Sequence, residues 1–282
     1  MKLASFTMAE RESFGIVVQD AVIDVGAVAG KRFPTLAQAL GDMDALASYA
    51  TRSPDYALSA VSLLPPIPRS QRIICIGLNY KSHIAETGHE TPAYPILFSR
   101  YPDSLVGHGS PLIRPNASVN FDFEGELAFV IGRSGRAIPA ARALQYVAGY
   151  GCFNDGSIRD FQRHSSQFLP GKNFVHSGSF GPWLTTADEF TDLGSRSLET
   201  VLNGMIVQSA KLDDLLFGVE ELIAYISTIW PIQPGDVVAT GTPGGVGMAR
   251  KPPLWMKPGD RVSVEISGIG MLANPVEQES AH

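Results

Sequence analysis

Three acidic residues, Glu124, Glu126 and Asp155, are the side chains of this sequence whose types and spacing best suit chemistry. Glu124 and Glu126 stand two apart in "FDFEGELAFVIG" (121–132), a run whose Phe, Leu, Val and Ile mark a core strand, with Asp122 at the same parity. Side chains at i and i+2 of a strand share a face, so these carboxylates are expected to crowd together. Like charges at close range repel, and buried carboxylates need partners. Asp155 follows the apolar "GYGCFN" at what reads as a strand end. Three acids converging from two strands call for a cation between them. A hard divalent ion with oxygen ligands suits them, and Mg²⁺ typically keeps open positions for water or substrate. Zinc is disfavoured, because no Cys or His pair has ligand spacing. The E-x-E spacing alone is a weak signal, since alternating Glu, Phe and Leu also suits a strand with one solvated face.

A second group of residues could move protons. In "GLNYKSHIAETGHE", His83 and Glu86 stand three apart and share one face if the piece is helical. A carboxylate there would orient the imidazole and make its free nitrogen a better base, although such pairs are also common on solvated loops. The segment "SHIAETGHETPAYP" (82–95) carries two prolines, a glycine and scattered charge, so it is expected to be a mobile lid with a short helix capped by Ser82. Lys172 sits among Gly, Phe, Pro and Trp in "FLPGKNFVHSGSFGPW", where it either snorkels to water or serves as a charged group in a site. His164 and His176 read as ordinary loop histidines. "ATGTPGGVG" (239–247) lacks the Gly-Lys-Ser/Thr of a phosphate loop, so nucleotide binding is disfavoured. Its glycines allow close backbone approach, and Thr242 has an N–H and a hydroxyl to offer a carboxylate; a tight turn between strands is the plainer reading. No G-x-S-x-G elbow occurs, which argues against an α/β serine hydrolase.

The elements that must hold these groups are legible in outline. A chain of 282 residues can bury a sizeable core, and its net charge of −6 gives no footprint for nucleic acid. The first residues lack an apolar signal region and no run is long enough to span a bilayer, so a cytoplasmic protein with no membrane partner is expected. Cys75 and Cys152 lie in apolar stretches and read as buried free thiols of a reducing compartment, and the sequon at Asn116 as accidental. "KLASFTM", "GIVVQ" and "AVIDVG" read as strands and "TLAQALGDMDALASYA" as a helix. The prolines of "SLLPPIPRSQ" break regular structure, which places a domain boundary near residue 70 and divides the chain into 1–69 and 70–282. Beyond it, Asn203-Gly204 predicts a hairpin, "VEELIAYISTIW" a helix ending at Pro231, and two "PGD" turns announce strands. No internal repeat of fixed period is present. A small α+β N-terminal domain before a mainly β catalytic domain is expected.

The succession "GLNYKSH", "DFEGELAFVIG", "NDGSIRDFQ", "GKNFVHSGSFGPW" and "TGTPGGVG" closely resembles the fumarylacetoacetate hydrolase family over about residues 70 to 278, in particular bacterial 2,4-diketo acid or acylpyruvate hydrolases. The resemblance implies an α+β fold, mainly β, built as a mixed β-sandwich roll, and commonly a homodimer. It implies that Glu124, Glu126 and Asp155 are metal ligands for Mg²⁺ or Mn²⁺, and that His83 and Glu86 activate a water. Lys172 would then stabilise an enolate or oxyanion, while Tyr80, Arg159, Gln162 and Thr242 would hold a small keto-acid substrate. The implied reaction is hydrolysis of a C–C bond in a β-diketo acid. A 2-oxo acid decarboxylase, a 2-hydroxydienoate isomerase and a ureidoglycolate-type lyase are the alternatives within the family, and a non-catalytic binding scaffold is the alternative outside it. Two departures bear on the substrate. Many members have Lys-Ser-Phe-Asp-Thr where this chain has Lys172-Asn173-Phe174-Val175-His176, and acylpyruvases and oxaloacetate decarboxylases often carry Arg at the position of Leu78.

Overall fold

The computed structural model describes residues 1–87 and 90–280, the side chains of His83 and Thr87 excepted. Strands dominate because the sequence is rich in short apolar runs punctuated by Gly, Pro and Asn. The largest sheet runs in the order Tyr56–Ala57, Ala21–Asp24, Arg11–Val18, Lys2–Met8, Gly178–Thr186, Val147–Asn154, Gly125–Ile131, Val237–Ala239, Ile73–Gly77 and Ile96–Arg100. Most neighbours are antiparallel; Val237–Ala239 and Ile73–Gly77 run parallel, with Val237 opposite Ile73. A second sheet has the order Met205–Lys211, Ser197–Leu202, Arg261–Ile266, Gly270–Gln278 and Leu112–Arg114.

The central strand Gly125–Ile131 explains why its sequence is apolar throughout. Leu127, Phe129 and Ile131 pack on one side with Val264, Ile266 and Leu272 of the second sheet. Ala128 and Val130 pack on the other with Leu3, Phe14 and Val25 of the N-terminal segment. A strand buried on both faces has no solvated side to carry polar residues. The first residues also join the sheet directly, Lys2 pairing with Thr185 and Leu3 with Leu184. The proline-rich stretch before residue 70 therefore interrupts neither the sheet nor the core.

Local expectations meet the structure as follows. Asn203 (φ 51°) and Gly204 (φ 81°) form the two-residue hairpin turn between Ser197–Leu202 and Met205–Lys211, the geometry that needs positive φ at both positions. The two Pro-Gly-Asp turns share one hydrogen-bond pattern. The Asp236 N–H donates to Gln233 O (3.0 Å) while its carboxylate accepts from Gln233 N–H (2.8 Å), and Asp260 does the same with Lys257 (3.0 and 2.7 Å). The expected helix over 35–50 is instead two short ones, Leu36–Ala39 and Met43–Ser48. Gly41 and Asp42 break it, because the Asp42 side chain accepts from the Ala45 amide and starts a new helix.

The helix Val219–Ile229 packs into the core that the two sheets share. Val219, Leu222, Ile223 and Ile226 recur at helical spacing and are buried, and the Glu221 carboxylate accepts from the Gly218 amide at its start. Leu222→Ala should cost about 2–5 kcal/mol of stability, the range for a truncated core leucine. Urea unfolding checks this; a loss below about 1 kcal/mol would mean the site collapses without a cavity.

Candidate metal and substrate site

The acids converge where two neighbouring strands end. Gly125 pairs with Asn154, and Asp155 follows directly. The run 121–132 is not one strand, as its sequence suggests. Phe121–Asp122 pairs with Ser157–Ile158, the regular strand starts at Gly125, and Glu124 lies in the gap. There the Glu124 N–H donates to Asn154 Oδ1 (3.0 Å) and its carbonyl accepts from the Asp155 N–H (2.8 Å). This bend turns Asp122 away from the pair whose parity it shares. Its carboxylate accepts from Arg159 Nε (2.8 Å) and from the amides of Gly247 (2.7 Å) and Met248 (3.0 Å).

Glu124, Glu126 and Asp155 bring carboxylate oxygens within 4.8 Å of one another, and all three are buried. The Glu124 carboxylate accepts from Ser157 Oγ (2.9 Å), from Arg159 Nη2 (2.6 Å) and from Lys172 Nζ. Asp155 accepts from Arg100 Nη1 (2.7 Å) and from Lys172 Nζ. Glu126 accepts from the Gly241 N–H (2.8 Å). Gly241 has φ +97°, and a Cβ there would sit 2.9 Å from Ile76 O, so glycine is needed to aim that amide.

Two very short helices supply the cations, Arg159–Gln162 and Leu169–Lys172. They touch at Gly171, where a Cβ would lie 2.5 Å from Gln162 Cβ. That close approach is what lets Arg159 and Lys172 reach the same carboxylate. The Lys172 ammonium also lies 5.1 Å from the centroid of the Phe98 ring.

The three acids are electrostatically unequal. Burial works against ionising Glu124, but the charges of Arg159 and Lys172 outweigh it and hold its carboxyl well below the usual range. Burial, then Asp155 and Glu124, push Glu126 well above it. Burial opposes the Lys172 ammonium, and Asp155 and Glu124 overcome this and hold its pKa above that of a free lysine. Glu124 and Asp155 are thus paired with cations, while Glu126 has no ion pair among the described residues. An all-oxygen donor set with that imbalance fits a hard divalent cation.

A cavity of about 390 Å³ opens onto these groups, within the range of small-molecule sites. It is lined by the buried triad and Lys172, by Leu78, Phe98, Phe168 and Met248, and by the more exposed Gln162, Arg163 and Ser165. Leu78 lines it at φ 52°, a backbone region that costs a leucine energy and that clusters at functional sites.

The other candidates fall as follows. Gln162 lines the cavity, its Oε1 accepting from Arg159 Nη1 (2.8 Å). Thr242 lines it too, but its hydroxyl donates to Gly125 O (3.0 Å) and accepts from Gln208 Nε2 (2.8 Å), so its N–H is the donor it has to offer a ligand carboxylate. Tyr80 is fully buried, lies outside the lining, and its hydroxyl has no partner among the described residues. Glu86, on the helix Lys81–Thr87, accepts from the Gly245 amide at 3.1 and 3.0 Å. That helix begins one residue before the expected cap, and it is Asp214 that accepts from the Ser82 N–H (3.1 Å). The side chain of His83 lies outside the described residues.

Sequence reasoning missed Arg100 and Gln208. Arg100 is fully buried and donates to Asp155, Gly156 O (2.9 Å), Ser104 Oγ (3.1 Å) and Ser177 Oγ (2.8 Å). Gln208 accepts from the Gly125 N–H (2.9 Å) and donates to Thr242 Oγ1 and Pro243 O (3.0 Å), tying the strand between the two glutamates to the Gly-Thr-Pro loop. A charged residue closing "ILFSR" was the available signal for the first; nothing local marks the second.

Residues 72–277 match the family model of the fumarylacetoacetate (FAA) hydrolase C-terminal domain. The chain belongs to the fumarylacetoacetate hydrolase family. Its fold, mixed α+β and mostly strands, is of that family's type. Among relatives, the mitochondrial oxaloacetate tautomerase Fahd2a of Rattus norvegicus is 42% identical over 219 residues, covering 77% of this chain and 70% of its own. A fumarylacetoacetate hydrolase from psychrophilic Exiguobacterium antarcticum superposes with a TM-score of 0.83 at 33% identity, covering 99% of this chain and 100% of its own. A maleylpyruvate hydrolase from Sphingobium sp. SYK-6, solved with manganese(II) ion and pyruvate, has a TM-score of 0.83 at 28% identity and covers 99% of this chain and 100% of its own. The members it is similar to thus include both tautomerases and hydrolases.

Proposed function

We propose that this chain is a divalent-metal-dependent enzyme that interconverts the keto and enol forms of a 2-oxo acid of the oxaloacetate class. The observation that carries the reading is the buried Glu124, Glu126 and Asp155 triad with Lys172 against two of its carboxylates, in a chain 42% identical to an oxaloacetate tautomerase. Mg²⁺ or Mn²⁺ would be held by the three carboxylates and, when bound, supplies a Lewis acid for the oxygens of a 2-oxo acid. In enolisation the C3–H bond breaks, C2=C3 forms and the C2 carbonyl pair moves onto its oxygen, which then takes a proton. Lys172, held cationic by Asp155 and Glu124, stabilises the charge gathering on that oxygen. Arg159 keeps Glu124 ionised, and Phe98 and Phe168 give the cavity an apolar lining beside the charged groups. His83, oriented by Glu86, is the proposed acceptor of the C3 proton, a role that suits an imidazole near neutral pH.

The second reading is hydrolysis of a C–C bond in a β-diketo acid of the 2,4-diketo acid or acylpyruvate type, favoured by the full-chain likeness to a maleylpyruvate hydrolase. His83 would then deprotonate a water that attacks the distal carbonyl, and Lys172 would hold the departing enolate. Both readings use one enolate, so products separate them. With Mg²⁺ or Mn²⁺, the decay of enol-oxaloacetate absorbance should accelerate far above the uncatalysed rate while acylpyruvate stays intact. Lys172→Met should lower that rate by roughly 10²–10³-fold, as loss of an oxyanion donor does. Acylpyruvate cleavage to pyruvate with no effect on the enol would establish the hydrolase instead. Acceleration of neither would overturn both readings.

A further inference from the structure

We propose that Gln208 is a positioning residue that fixes the Thr242 N–H, as donor to the substrate's carboxylate, against the strand carrying the metal-binding glutamates. The inference rests on the reading of the cavity as a site for a metal-bound 2-oxo acid and adds how its two halves are held in register. It starts from Gly125, the residue between Glu124 and Glu126. Further along that strand the backbone has a neighbour: Ala128 to Val130 pair with Val237–Ala239, and the Thr240 N–H donates to Leu127 O (2.9 Å). Two residues before Leu127, Gly125 points its N–H and C=O the same way, as alternate strand residues do, and meets side chains instead. Its N–H donates to Gln208 Oε1 (2.9 Å) and its carbonyl accepts from the Thr242 hydroxyl (3.0 Å). A glutamine side chain carries the same amide as a peptide unit, so it continues the ladder where the strand pairing stops.

These bonds close on themselves. Gly125 donates to Gln208, Gln208 Nε2 donates to Thr242 Oγ1 (2.8 Å), and the Thr242 hydroxyl donates back to Gly125 O. Every member of the ring gives one hydrogen bond and takes one, so each fixes the orientation of the next. Gln208 and Thr242 are both buried, which leaves no bulk water to take over a lost bond. Gln208 Nε2 also donates to Pro243 O (3.0 Å), so one side chain grips both Thr242 and its successor. On the other side of Thr242, the Gly241 N–H is held by the Glu126 carboxylate (2.8 Å). Thr242 is thus bracketed by a proposed metal ligand and by Gln208. The approach of the two sheets is close here. A Cβ on Gly125 would lie 2.1 Å from Thr200 Oγ1, and Thr200 is the strand partner of Gln208. Glycine between the two glutamates is what lets Gln208 reach the backbone there.

The test is binding of pyruvate, the simplest 2-oxo acid, to protein saturated with Mn²⁺, measured by calorimetry below the unfolding temperature. Gln208→Met fills similar space without hydrogen-bonding groups, and Thr242→Val removes the hydroxyl while keeping the N–H. Each should weaken pyruvate binding by roughly 10-fold, the scale set by buried groups left unpaired. The double variant should bind about as well as either single one, because a ring once opened is not opened again. A purely structural glutamine would lower the unfolding temperature and leave the pyruvate affinity of the folded, Mn²⁺-loaded protein unchanged; that result overturns the proposal. So does a double variant whose losses multiply to about 100-fold, since the two residues would then act independently. If Gln208→Met does not fold, native pyruvate affinity in Thr242→Val overturns it equally. Native protein that does not bind pyruvate overturns it together with the 2-oxo acid reading. The tautomerase reading is judged separately by the enol assay: a Gln208-dependent affinity in a protein inactive on enol-oxaloacetate leaves this inference standing and removes that reading.

Discussion

Glu126→Gln is expected to bind Mg²⁺ or Mn²⁺ at least 100-fold more weakly than the native chain, and to be inactive, while its metal-free form unfolds at a higher temperature. The two halves have one cause. Glu126 is buried beside Asp155 and Glu124, which with burial raise its pKa, while Lys172 and Arg159 serve Glu124 and Lys172 and Arg100 serve Asp155. An amide of the same shape removes the repulsion and keeps an oxygen for the Gly241 N–H. It also removes a charged ligand, and even loss of a residue that merely orients a ligand costs about 10–100-fold in affinity. Calorimetric titration with each ion and thermal unfolding in chelator are the measurements. A variant that binds the ion as the native chain does would end the assignment of Glu126 as a ligand. A metal-free variant that is less stable would make Glu126 a structural acid.

Arg100→Met should destabilise the metal-free protein by about 3–5 kcal/mol, the cost of breaking a buried charge pair from one side. The side chain is fully buried, and its loss strips Asp155 of one cation and leaves the Gly156 carbonyl and the Ser104 and Ser177 hydroxyls without a donor. A bound divalent ion replaces part of the lost charge at Asp155, so saturating Mg²⁺ should recover more stability in the variant than in the native chain. Urea unfolding with and without Mg²⁺ measures both. A loss under about 1 kcal/mol would show that the Arg100–Asp155 pair is offset by its own desolvation.

Both variants address residues that differ in how visible they were. Glu126 stood out because an acid inside an apolar run conflicts with burial, and that conflict can be read from five or six neighbouring letters. Arg100 carried no such conflict, since an arginine at the end of a strand can equally face water. Only its partners, Asp155 and Ser177, 55 and 77 residues further along, make it a component of the site. Gln208 is the same case, joined to Gly125 across 83 residues. Asp122 was misread in the other direction. Parity placed it with the glutamates, but the break in pairing before Gly125 turned it to Arg159 and the Gly247 and Met248 amides.

What the sequence determined by itself is what backbone sterics and side-chain chemistry decide within about ten residues. The Asn203-Gly204 hairpin, the two Pro-Gly-Asp turns, the helix Val219–Ile229 and the two-residue spacing of Glu124 and Glu126 belong here, because each rests on a φ preference or a spacing that no distant contact overrides. The tertiary structure alone decided how far the sheet extends and which charge meets which. Lys2 pairs with Thr185 across the expected boundary near residue 70, and Arg100, Arg159 and Lys172 are shared out among Asp122, Glu124 and Asp155. Such pairings come from the packing of segments far apart in the chain, where several partners of like chemistry compete and only the shape of the folded core chooses between them.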